Sequence, residues 1–237
     1  MVIIRGAVAL LLLAVVSACS SVPSTQANRS ALNLLVPEAR DGAWHAVRFK
    51  QVWPEGEKAR WHIDTLIAHR VVAPTLLTFQ SEIPLWRFHR RASRDLAGHR
   101  FSFIFYATEE VADAVTEELE SSELVASLRD TRVLEGVIRS DYGGDAWQLS
   151  ATSDASWSEA VQRSWPHFIM GVSRTWLELI ASIAQGRVDA TTDTEALIER
   201  YAEIDAEVTE LWSDHGQHAF LHHLNAIYGY KPFGIRY

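Results

Sequence analysis

Histidine and arginine are the side chains in this sequence whose placement could support chemistry. Five polar groups crowd into ten residues at Asp214-His215-x-x-His218-x-x-x-His222-His223. On an α-helix His215, His218 and His222 recur at i, i+3 and i+7 and share a face, a spacing that can present imidazole nitrogens to a divalent metal. Asp214 would then be a further ligand or the acceptor that orients a ligand ring. The competing reading is a plain helix with exposed and core-edge histidines, because three-ligand geometry is demanding. His62 and His69 lie seven apart with Asp64 close by, and His89 and His99 are expected to face each other across a hairpin. Arg87, Arg90, Arg91, Arg94 and Arg100 form the one basic cluster. Of these, Arg87, Arg90, Arg91 and Arg100, with His99, are the candidate binders of an anionic headgroup, a phosphate or a peptide carboxylate. A solvated hairpin paired to the glutamates of 109–123 is the alternative.

Other chemistries find no support. There is no His-Glu-x-x-His pair, nucleophile elbow, phosphate-cradling glycine loop or dinucleotide fingerprint. The 237 residues carry a net charge of −8, which argues against nucleic acid as a partner. The single cysteine, Cys19, excludes an intrachain disulfide and a cysteine-rich zinc site. No cofactor is expected unless the histidines take a divalent metal.

The elements that must position these groups read as α+β. Partial alternation in 43–53 predicts a strand ending at Pro54, followed by a helix over 60–79 that Pro74 should kink or split. Residues 85–90 and 99–106, aromatic and separated by turn residues, predict a hairpin. Thr108 is a good N-cap for a helix with Val111, Val115 and Leu119 as its stripe. A strand is expected over 133–138 and a tight turn over 141–145. Ser156-x-x-Glu159 predicts a capped short helix, with a longer one starting at Ser164 and Pro166 and stopping at Gly186. Thr192-x-x-Glu195 reads as a second capping box, leading into Leu197, Ile198, Tyr201, Ile204, Val208, Leu211 and Trp212. A last short helix is expected over 217–227. The fold class is therefore α+β: a small antiparallel sheet against several amphipathic helices, with a helical C-terminal half. Nine tryptophans fall between Trp44 and Trp212. Most are expected in the core, with an aromatic platform for glycan or peptide as the alternative.

The N-terminus has the charge, short apolar run and small-residue exit of a secretion signal, and the run is too short to span a bilayer. Val16-Ser17-Ala18-Cys19 resembles the lipobox of bacterial lipoproteins. That resemblance implies acylation of Cys19, anchorage to a membrane, and, with Ser20 next, the outer membrane facing the periplasm. The division is then 1–18 signal peptide, 19–42 lipidated flexible tether, and 43–237 a single α+β globular domain.

Across about a quarter of the chain, Trp86, Arg90, Gly98, His99, Tyr142, Gly143 and Gly144 are laid out in a way that resembles the C-terminal glutamate-elimination domain of lantibiotic and thiopeptide dehydratases. The likeness implies a fold and not an activity. Phe101-Ser102-Phe103-Ile104-Phe105 lacks the family's alternating arginines, and Asp141 stands where that family's turn has an arginine. The expectation is a lipid-anchored, periplasm-facing envelope protein with a non-catalytic binding or accessory role, its partner an envelope protein, peptide or glycan. The alternative is an envelope enzyme using a histidine/arginine site, metal-assisted or not.

Overall fold

The computed structural model describes residues 42–143, 145–188 and 193–231. The expected signal, Cys19 and residues 20–41 of the expected tether lie outside them. Four antiparallel strands form one sheet in the order β2-β3-β1-β4: β1 is Ala43–Gln51, β2 Leu85–Ala92, β3 His99–Ala107 and β4 Leu134–Asp141. β3 is covered along nearly its whole length, as its aromatic and β-branched composition requires of a central strand. β2 is an edge, and the helix Glu159–Ala184 protects it: the Phe88 N–H donates to Ser173 Oγ at 3.0 Å.

One sheet face carries the core. Phe49, Phe88, Phe101, Phe103 and Phe105 meet Ile63, Leu66 and Ile67 of α1 (Trp61–Ile67) and Val115 and Leu119 of α3 (Glu109–Glu120). Val125 and Leu128 of α4 (Glu123–Asp130), Ile180 and Ile183 of α5 (Glu159–Ala184), and Leu197, Tyr201, Ile204 and Val208 of α6 (Thr194–Gly216) complete it. Fold class, hairpin and the Thr108 cap agree with the sequence reading; the Thr108 hydroxyl accepts from the Val111 N–H.

Four boundaries differ, each for a local reason. The split before Pro74 is a π-helical turn, Ala68–Val72, that joins α1 to α2 (Ala73–Thr78). Proline has no N–H and crowds the preceding turn, and widening that turn relieves the clash. The Ser156 N–H is taken by Asp154 Oδ1 at 2.8 Å, so the cap moves to Ser158 and one helix runs through the buried Pro166 to Ala184. Asp193, accepting from the N–H groups of Glu195 and Ala196, caps α6; Thr192 lies outside the described residues. The final helix is not separate: a second π-turn, Gln217–His222, links α6 directly to α7 (His223–Ile227).

The tryptophans also depart from expectation. Trp44 is buried, but Trp61, Trp147, Trp157 and Trp212 are exposed. Trp212 sits at the far end of the α6 stripe, where it stacks on Phe220 outside the core.

Candidate functional site

Strand geometry divides the basic cluster. Directly paired residues in an antiparallel sheet point to the same face, and neighbours along a strand to opposite faces. Arg91 pairs with Arg100, and Arg100 pairs with Lys50 on its other side. The next row is His89–Ser102–Arg48 and the next contains Arg87 and Ile104. Arg90 and His99 belong to the opposite, helix-covered face. His89 and His99 therefore do not face each other: His89 pairs with Ser102 and His99 with Ala92. Nor do the hairpin arginines pair with the glutamates of 109–123 among the described residues. That role falls to Arg139, which bonds Glu109 and Asp113.

The face away from the helices is half covered. Residues 146–152 cross it, receiving hydrogen bonds from Trp44 Nε1 and the Tyr106 hydroxyl, and Arg87 reaches the Thr152 carbonyl at 3.5 Å. Beyond that strap lie Arg48, His89, Arg91, Arg100 and Lys50. Like charges directly opposite each other on a sheet repel, so each cation needs an anion. Arg91 has Asp95 and Lys50 has Glu135. Arg100, between them, has no hydrogen bond or ion pair among the described residues. Burial and then Arg48 and Arg91 push its pKa down, while the nearby Asp95 carboxylate opposes them. Burial, then Arg87, Arg91, Arg100 and Arg48, push His89 below the usual histidine range, so its ring is neutral near pH 7. Arg87 Nε is buried without a partner.

The helix-covered face holds a second cluster. Asp64 of α1 is fully buried, and its carboxylate accepts from Gln51 Nε2 at 2.5 Å and Arg90 Nε at 3.1 Å. His99 Nε2 lies 3.3 Å away. Arg90 also reaches Asp205 Oδ1 of α6 at 3.3 Å and the Trp61 carbonyl at 2.7 Å, and Thr65 donates to Asp205 at 2.5 Å. Aromatic rings close over these charges. The Arg90 guanidinium lies 5.2 Å from the Trp61 centroid and 4.8 Å from that of Trp176, and Trp61 and Trp53 meet the His99 ring edge-on. Two carboxylates thus match Arg90, which leaves it no unbalanced charge for an outside anion. His99 Nδ1 and Gln51 Oε1 are buried without partners.

Three further groupings complete the chemistry. His45 Nδ1 is 3.0 Å from Asp141 Oδ1 and 3.9 Å from Glu109 Oε2, but Arg139 bonds that same Glu109 and lies 3.6 Å from Asp141. One guanidinium is thus shared among three carboxylates, those of Glu109, Asp113 and Asp141. A cavity of about 410 Å³ opens beside His69, Arg70, Ser182 and Gln185. There burial pushes the Tyr201 hydroxyl up to about 12, and burial followed by Arg70 pushes His69 down. The phenol therefore keeps its proton and shares a 2.6 Å hydrogen bond with His69 Nδ1. At the C-terminal end, the rings of His218, His222 and His223 come together, while His215 makes no ring contact with them among the described residues.

The sequence reading missed Asp64, Asp205 and Gln51 as partners of Arg90 and His99, because their elements meet only in the folded chain. It also missed Arg48 and Lys50, which join the hairpin arginines by strand pairing. Alternation within 85–92 and 99–106 was the available signal, since it already separates Arg90 from Arg87 and Arg91. No protein-family model, no curated protein and no solved structure matches this chain.

Proposed function

We propose that this chain is a lipid-anchored, periplasm-facing envelope protein that binds an anionic partner on the open face of its sheet, without catalysis. The carrying observation is Arg100: a cation placed between Arg91 and Lys50, with Arg48 in the next row and no counter-ion of its own. A bound anion would relieve the repulsion within such a row, and guanidinium groups suit carboxylates and phosphates. In a protein of net charge −8, this face is where an anion would be held.

The test uses the full chain in neutral detergent at physiological salt. Vesicles of phosphatidylglycerol are compared with vesicles of phosphatidylcholine, and an oligoglutamate peptide is titrated separately. Arg100→Gln and Arg91→Gln together should weaken binding to whichever probe is recognised by about tenfold or more, since each lost charge-assisted bond contributes ~1.5 kcal/mol or more. Arg100→Gln alone should leave thermal stability equal or higher, because it relieves repulsion. Binding unchanged by the double substitution, or absent for both probes, sinks the reading. The anchor has its own test: palmitate label should enter the wild-type chain and vanish in Cys19→Ala. Label that persists removes the anchor from the proposal.

An enzymatic reading draws on one observation, the meeting of His99, Asp64 and Arg90 beside the exposed Trp61. His99 would be its acid or base, with Nδ1 as the free position. Against it, His99 and Asp64 are fully enclosed, so no reacting atom of theirs meets solvent.

A further inference from the structure

The geometry points to a binding site for a divalent transition-metal ion formed by His218, His222 and His223. The observation that carries it is the π-turn at Gln217–His222. With about 4.4 residues per turn, a π-helix advances roughly 82° per residue, against about 100° in an α-helix. Residues i+4 and i+5 then fall on either side of i, whereas in an α-helix i+5 points well away. The turn thus draws His223 toward His218 and makes a trio of residues that an α-helix would keep apart. The ring centroids form a nearly equilateral triangle: 5.4 Å for His218–His222, 5.8 Å for His218–His223 and 5.4 Å for His222–His223.

That triangle has the dimensions of a metal site. A zinc–nitrogen bond of about 2.1 Å places each imidazole centroid roughly 3.2 Å from the ion, and tetrahedral geometry then separates centroids by about 5.2 Å. The backbone thus sets the ring centres at ligand spacing, but the His218 and His222 planes are stacked 7° apart, so an ion must turn the rings before their nitrogens converge on it. All three histidines are exposed, so an ion has an open approach, although the His222 ring also packs on Tyr230. Imidazole selects zinc, copper or nickel over magnesium and calcium. No cation is paired with these rings among the described residues, whereas at His45 the Arg139 guanidinium occupies the neighbouring carboxylates. The site differs from the one that α-helical spacing suggests. His223 enters, and His215 and Asp214 leave.

The experiment titrates the untagged full chain with zinc, reading the free ion with a competing indicator. His218→Ala, His222→Ala and His223→Ala should each weaken binding by about tenfold or more, as loss of one of three ligands requires. His215→Ala should bind like the wild type. All four positions are exposed, so circular dichroism should show the same fold and melting curve throughout. Equal binding by wild type and the His218→Ala/His222→Ala/His223→Ala triple variant overturns the site. So does a loss in His215→Ala that matches the loss in His223→Ala, because that outcome returns the ligands to an α-helical face.

Discussion

Asp64 shows how one residue can couple distant parts of the chain. Every partner of its buried carboxylate is a donor: Gln51 from β1, Arg90 from β2 and, in its Nε2–H form, His99 from β3. Asp64→Asn keeps the shape but turns an amide N–H₂ toward these donors and removes half of the charge that matches Arg90. Breaking a buried pair from one side costs about 3–5 kcal/mol, and Arg90 is 28% exposed, so solvent screening lowers this to roughly 2–3 kcal/mol. The measurement is the urea midpoint of Asp64→Asn against wild type. The exposed pair Arg91–Asp95 is the control, and Arg91→Ala should leave the midpoint where it is. A loss below about 1 kcal/mol in Asp64→Asn would mean that the cluster is not a structural tie, which would favour a role in ligand chemistry instead.

At the scale of elements, local rules were legible and wide-turn geometry was not. The Leu197, Tyr201, Ile204 and Val208 stripe is buried as its spacing predicts, and the aromatic hairpin pairs in simple register. Both depend on periodicity, which one sequence displays. The two π-turns leave no comparable mark. The first relieves Pro74, so the proline signals a disturbance without saying that the helix widens instead of ending. The second has no proline or glycine inside it, and it changes which histidines are neighbours. Pro166 errs the other way: it reads as a helix start, yet tertiary contacts carry α5 through it. The candidate site was half legible for a related reason. Arg87, Arg91 and Arg100 were found as a cluster, but distance along the chain joined them to Arg90 and His99, which the pleat sends to the other face. Asp64 and Asp205 come from helices far apart in sequence, and no spacing rule connects them to a strand.

Across the whole molecule, the histidines make stability depend on pH. His62, His69 and His89 are all held below the ordinary histidine value of 6.5. Burial is the largest cause in each. Arg70 adds to it at His69 and the sheet arginines add to it at His89, while Asp205 opposes it at His62. As pH falls from 7, the unfolded chain takes up protons near 6.5 while the folded chain still refuses them, so the unfolded state gains. Stability from these groups is complete above 6.5 and is lost as pH falls through the lowered folded values. Tyr201 acts at the alkaline end. With its hydroxyl pushed up to about 12 from 10.0, the unfolded chain loses that proton first, and stability falls between those values. Thermal melts should therefore give a Tm that is level from about pH 7 to 9 and lower at pH 5, a window set by the ordinary histidine and tyrosine values. His62→Gln, His69→Gln and His89→Gln together should flatten the acid slope above pH 5, where most carboxylates are still ionised. A triple variant with the wild-type slope would assign the loss to carboxylates instead. His62, His69 and His89 would then be bystanders in a fold whose acid sensitivity lies in its ion pairs.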